Sequence, residues 1–96
     1  MLSKRIGFEV TGYVQGVGFR RYVERTAREL GGITGFVYNT KQGTVRGEAQ
    51  TGSSETLELF VQRLKRGSTI SRVEKVEVRE MQAVVGETGF TIKKTV

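Results

Sequence analysis

From Ile6 onward the chain alternates: Ile6, Phe8, Val10 and Val14 fall on one side of an extended segment, and Glu9, Thr11 and Tyr13 on the other. A period of two with one apolar side predicts a strand half-buried against a core. The period then lengthens. Phe19, Tyr22, Val23, Thr26, Ala27 and Leu30 recur at helical spacing, with Arg21, Glu24, Arg25, Arg28 and Glu29 on the remaining faces, which predicts an amphipathic helix. Glu24 precedes Arg28 in the favourable i,i+4 order, and Gly31 and Gly32 supply the stop.

Downstream, "ITGFVYNTKQGTVRGEAQT" predicts two strands joined by a short turn near Thr40 to Gly43, the second with Val45, Gly47 and Ala49 inward and Thr44, Arg46, Glu48 and Gln50 outward. "GSSETLELFVQRLKRG" predicts a second helix. Ser53 and Ser54 are its capping candidates, Leu57, Phe60, Val61 and Leu64 its apolar stripe, and Glu55 near the start and the basic residues before Gly67 suit its dipole. Val73, Val76 and Val78 among alternating charges predict a fourth strand with an irregularity near Lys75, and "GFTIKKT" a short fifth. Phe19, Tyr22 and Phe36 read as core residues. With right-handed crossovers this order gives an α+β, ferredoxin-like βαββαβ sandwich: an antiparallel sheet, two helices on one face and a short additional C-terminal strand. No linker or repeat interrupts it, so residues 1–96 read as a single domain.

Composition narrows the chemistry mainly through what is missing. The chain has no His, Cys, Asp or Pro, and all ten acidic residues are Glu. Thiolate nucleophiles, disulfides, zinc-thiolate sites and Ser-His pairs are therefore excluded. No pair of glutamates stands at metal-motif spacing, so no required metal is expected. Sixteen Lys and Arg against ten Glu leave a net charge of +6, which draws anions, whether nucleic acid or small phosphorylated metabolites. Solvated helix faces account for many of these cations. The apolar runs are too short to cross a bilayer, and "MLSKRIGFEV" leaves no room for a signal peptide's apolar region, so no membrane association and a cytoplasmic location are expected.

"GYVQGVGFRR", Gly12 to Arg21, links the first strand to the first helix. A loop entering a helix gathers unpaired backbone N–H groups at the positive end of the dipole, which suits an anion. Gly16 and Gly18 let successive N–H groups converge, and Arg20 adds a planar, permanently charged fork, while Arg21 reads as solvated helix. The stretch matches neither G-x-x-x-x-G-K-[ST] nor G-x-G-x-x-G, where Arg21 occupies the third glycine's place. On the residues alone, a phosphate cradle and a plain strand-helix turn both remain open.

"GYVQGVGFR" resembles the acylphosphatase signature G-x-V-Q-G-V-x-F-R, and "GFVYN" followed by "GTV" resembles that family's second signature, G-[WF]-V-x-N then G-T-V. The likeness covers nearly the whole chain, including "GF" and "I" of "GFTI". It implies hydrolysis of the carboxyl-phosphate bond of an acyl phosphate to a carboxylate and inorganic phosphate, without metal or cofactor. It further implies a small-molecule substrate; a small domain of this kind is expected to be a monomer, and no nucleic-acid partner is expected. Arg20 would hold the phosphoryl group together with the loop N–H groups of Gln15, Gly16, Val17, Gly18 and Phe19, and Asn39 would position the attacking water. Read without the family, Asn39 is a turn residue ending a strand, Thr40 stabilises the turn or orients Asn39, and Gln15 shapes the loop by side-chain hydrogen bonds. Two departures stand out: "GGITGF" is one residue longer than is common, and Phe36 stands where Trp is frequent.

Two rival functions share parts of this pattern. An RNA-recognition module has the same element order, and Gly35, Phe36 and Val37 fit its aromatic motif, but Gly32, Ile33, Thr34 and Asn39 do not, and the segment lies on the second strand instead of the third. The acylphosphatase-like domain of hydrogenase-maturation carbamoyltransferases has a similar loop and handles carbamoyl phosphate, but it opens much longer chains.

Overall fold

The computed structural model describes residues 3–95. In chain order these form β1 (Lys4–Tyr13), α1 (Phe19–Leu30), β2 (Thr34–Asn39), β3 (Val45–Thr51), α2 (Ser54–Arg66), β4 (Arg72–Met81) and β5 (Phe90–Ile92). The strands lie in the order β4-β1-β3-β2-β5. β1 pairs antiparallel with β3 and β4, and β2 antiparallel with β3. Each helical connection therefore skips one strand: β1 and β2 run the same way with β3 between them, and β3 and β4 the same way with β1 between them. That is the ferredoxin-like arrangement the element order predicts.

The period-two and period-3.6 apolar sets meet in one cluster. Ile6, Phe8 and Val10 of β1, Val37 of β2, and Val45 and Ala49 of β3 are buried beneath Phe19, Val23 and Ala27 of α1 and Leu57, Phe60 and Leu64 of α2. Phe60 lies near its centre, with ring centroids 5.6 Å from Phe8 and 6.0 Å from Phe90; truncating such a residue to Ala costs about 3–5 kcal/mol. α2 begins as its sequence predicts, with Ser53 Oγ accepting from the Thr56 N–H at 3.1 Å. The irregularity expected near Lys75 is a bulge at Glu74. Thr11 pairs with Lys75 but Gly12 with Val73, so Glu74 has no partner on β1. The extra residue keeps both Val73 and Val76 on the helix side, where they pack against the core.

Three features depart from the expectations. β5 joins the edge of the antiparallel sheet parallel to β2, pairing Gly35 with Phe90 and Val37 with Ile92. The cause is the path of residues 82–89. β4 ends at Met81 opposite Arg5, and the chain crosses that end of the sheet to reach Gly35, so β5 must run back in the direction of β2. Gln50, expected outward, is buried under the same segment: its Nε2 donates to Val84 O at 2.9 Å, and its Oε1 accepts from Val84 N–H at 2.8 Å. Phe36, expected in the core, lies on the sheet face away from the helices because its neighbours Gly35 and Val37 point inward. There it stacks on Tyr38 with centroids 6.2 Å apart, under Lys93 Nζ at 3.9 Å.

Candidate active site

The sheet register explains how distant residues converge. Val10 of β1 pairs with Val45 of β3, which pairs with Asn39 of β2, so the three lie in one row. Asn39 ends β2 on the same side as Val37, facing the helices, about 10 Å across the sheet from β1. The loop from Val14 to Gly18 leaves β1 at this same end and leads into α1. The row thus sets Asn39 beside the start of α1.

Gly16 and Gly18 have φ of 74° and 73°. A Cβ at either would meet nothing within 4 Å, so the backbone conformation and not crowding calls for glycine. Gly18 is the N-cap of α1 and offers no side-chain cap. Tyr22 N–H donates to Gly18 O at 3.0 Å, so the amides of Phe19, Arg20 and Arg21 precede the first closed turn and have no intrahelical acceptor. The first turn carries no acidic residue. Unpaired donors, the dipole's positive end and Arg20 therefore add at one place.

Gln15 faces away from this concavity. Its Nε2 donates to Thr40 O at 2.8 Å and Thr44 O at 2.9 Å, tying the loop to the hairpin that carries Asn39. Thr40 acts within the turn: its Oγ1 accepts from Thr44 N–H at 3.1 Å and lies 2.7 Å from Thr44 Oγ1, which donates to Glu9 Oε2 at 2.7 Å. Val17 packs on the rim of the core.

A cavity of about 250 Å³ opens here, lined by Val14, Gly16, Gly18, Phe19, Arg20, Arg21, Asn39 and Ile92. Phe19 and Val14 are its buried floor, and Arg20 is half-buried. Asn39 is 9% exposed, and its Oδ1 is fully enclosed with no hydrogen-bond partner among the described residues. A buried acceptor without a donor is costly, and this enclosed oxygen belongs to a side chain at the cavity wall. Gln15 and Val17 shape the loop without lining the cavity. Two lining residues were not expected. Arg21, read as solvated helix, is exposed but also borders the cavity, because the first helical turn wraps the opening; Ile92 reaches it only through the parallel pairing of β5. A larger groove of about 660 Å³ between α2 and the start of β1 lies at the opposite end of β1 from the loop, lined by Lys4, Leu57, Val61 and Glu80 among others. The segment from Gly31 to Phe36 also falls away from the cavity, where α1 ends and β2 begins.

The acylphosphatase family model matches residues 6–92. The chain belongs to the acylphosphatase family. It is 40% identical over 92 residues to an acylphosphatase of Salinibacter ruber, covering 96% of this chain and 95% of that one. It superposes on the crystal structure of acylphosphatase from Bacillus subtilis with a TM-score of 0.86 at 34% identity, covering 94% and 98% of the two chains. A full-length HypF in its phosphate- and nucleotide-bound form is also similar, with a TM-score of 0.84 at 27% identity, but this chain spans 12% of it. Family and neighbours alike favour acyl phosphate hydrolysis and do not favour the RNA-recognition and carbamoyl-transfer readings. No helix among the described residues is long and apolar enough to cross a membrane.

Proposed function

We propose that this acylphosphatase hydrolyses its substrate in the cavity between the Gln15–Arg20 loop and Asn39, with Arg20 and the loop amides binding the phosphoryl group and Asn39 positioning water. The observation that carries this reading is that Arg20 and Asn39, nineteen residues apart, line one small cavity at an uncapped helix N-terminus. The amides of Phe19 and its neighbours supply fixed donors, and the Arg20 fork pairs two phosphoryl oxygens. Asn39, at the cavity wall, holds a water for in-line attack on phosphorus. The phosphorus–oxygen bond to the acyl group breaks, the carboxylate leaves with the bonding pair, and the water's oxygen becomes part of inorganic phosphate. Because a carboxylate is a good leaving group, no strong protein base is needed, and a phosphoryl oxygen takes the water's proton.

The reaction asks only for placement and charge stabilisation, which matches a chain without His, Cys or Asp. It runs in this reading without metal or cofactor, as a monomer, on a small acyl phosphate. Phosphate release from benzoyl phosphate in EDTA tests the reading. Asn39→Ala is expected to remain folded and lose about 100- to 1,000-fold in kcat. Arg20→Ala is expected to lose turnover and competitive inhibition by inorganic phosphate together. A near-normal rate in Asn39→Ala, or unchanged phosphate inhibition in Arg20→Ala, removes that residue from the mechanism, and loss of activity in EDTA restored by a divalent ion overturns metal independence.

A further inference from the structure

Residues 82–89 carry the chain from β4 to β5, and burial does not hold them in place. Glu87 is the only one of them that is not exposed, and Val85 is 98% exposed. Gly86 and Gly89 have φ of 84° and 73°, so the segment has little stiffness of its own. Two side chains from the sheet hold it instead. Gln50 of β3 pairs with both backbone groups of Val84, and Arg5 of β1 grips both carboxylate oxygens of Glu87.

Taking a guanidinium and a carboxylate out of water is a poor way to gain stability. Their desolvation offsets much of their attraction, and the best-attested use of such a pair is to fix one register among several. The strand that follows needs its register fixed. β5 has three residues, lies at the sheet edge and pairs in parallel, where each residue contributes slightly less than in an antiparallel pair. A slip of one residue turns Ile92 to the outer face and Thr91 toward the helices. Phe90, buried against Phe60, resists the slip from within the strand. Arg5 resists it from the approach: with Glu87 held, only Thr88 and Gly89 separate it from Phe90, which leaves no slack.

The register of β5 bears on the reaction. Ile92 pairs with Val37, two residues before Asn39, and borders the same cavity as Asn39. Its side chain offers a water no hydrogen bond and so leaves the water to Asn39, whereas a Thr91 hydroxyl in its place competes for it. We infer that Arg5 and Glu87 are positioning residues for hydrolysis, fixing the register of β5 and through it the apolar wall that Ile92 gives the cavity. The inference rests on the cavity reading above, and neither residue touches the substrate in it.

A cycle of Glu87→Gln and Ile92→Ala tests this, assayed on benzoyl phosphate with protein that circular dichroism shows to be folded. A Gln presents Arg5 with one acceptor and one donor, so the paired grip is lost. Each single substitution is expected to lower kcat about three- to tenfold. The inhibition constant of inorganic phosphate should change by less than about twofold, because Arg20 and the loop amides stay in place. Adding Glu87→Gln to Ile92→Ala is expected to lower kcat no further, while the losses in urea midpoint add. A merely structural pair gives the opposite pattern, a lower midpoint with kcat unchanged. Arg5→Lys keeps the charge without the paired hydrogen bonds; it is the second variant, expected to show the same split, and it decides the matter where Glu87→Gln does not fold. An unchanged kcat in the folded variant, kcat losses that multiply in the double variant, or phosphate inhibition that weakens in step with turnover overturns the inference and leaves the cavity reading standing. A near-normal rate in Asn39→Ala overturns the cavity reading and takes the inference with it.

Discussion

Gln15 spends its side chain on another element. Its amide donates to Thr40 O and Thr44 O, both on the β2–β3 hairpin, and so fixes the distance between the loop that holds Arg20 and the strand end that holds Asn39. Both carbonyls have a second donor: Thr44 O accepts from Thr40 N–H at 2.9 Å and Thr40 O from Gly43 N–H at 3.3 Å. Losing Gln15 therefore frays the link without orphaning either group, and the stability cost should be only about 1 kcal/mol. Gln15→Leu is expected to lower kcat about tenfold through misplacement of Asn39 relative to the phosphoryl group. Gln15→Glu is expected to be worse, about 100-fold, because a carboxylate cannot donate to the two carbonyls and sets a negative charge beside the cradle. Steady-state kinetics with inorganic phosphate as inhibitor check this. The Glu variant should weaken phosphate inhibition far more than the Leu variant, whereas a purely structural role predicts that both track thermal stability.

At the scale of elements, the two helices are built differently at their N-termini. Ser53 caps α2, whereas α1 starts on left-handed Gly18 with no side chain to satisfy its first amides. Gly18→Ala should cost about 1–2 kcal/mol, wholly torsional because open space surrounds the new Cβ. Relief of that torsion turns the Phe19 N–H from the cavity, so activity should fall at least tenfold. Gly18→Asn, which tolerates the left-handed region, should recover most of the stability, as urea melts will show. The same contrast explains what was legible in the sequence. Periodicity located every element, and the glycines with Arg20 marked an anion-binding turn. Asn39 could be read from its residues only as a turn former, because the row through Val10 and Val45 that sets it beside α1 belongs to strand pairing. Ile92 was illegible for the same reason, since nothing in a three-residue edge strand announces a parallel partner. Arg21 was visible as a residue, but its place at the opening depends on how the first turn sits over the sheet.

Across the whole molecule, Arg5 joins parts of the chain that periodicity treats as unrelated. It lies on the sheet face away from the helices, yet is 4% exposed, because residues 82–89 fold over it on their way to β5. Its Nη1 and Nη2 donate to the Glu87 carboxylate at 2.8 and 3.1 Å, Nε donates to Glu48 at 2.6 Å, and Nη1 also donates to Gln50 at 2.9 Å. The paired hydrogen bonds from Arg5 hold the Glu87 carboxyl below its ordinary value, against burial, which pulls the other way. A carboxylate with a depressed folded pKa contributes stability that is present above the unfolded pKa and lost as pH falls through the folded one. Glu87→Gln keeps the size but loses the charge, and at neutral pH should cost about 2 kcal/mol, read as a lower urea midpoint. On acidification below the unfolded value of 4.5, the wild type should lose its advantage and the two midpoints converge. Arg5→Met should be more damaging at neutral pH, about 3–5 kcal/mol, because it leaves Glu48 and Glu87 partly buried without their shared cation. Protonation relieves that repulsion, so the Arg5→Met penalty should also shrink in acid, and a gap that stays constant from neutral to acidic pH in both variants would mean that packing, not charge, holds residues 82–89 on the sheet.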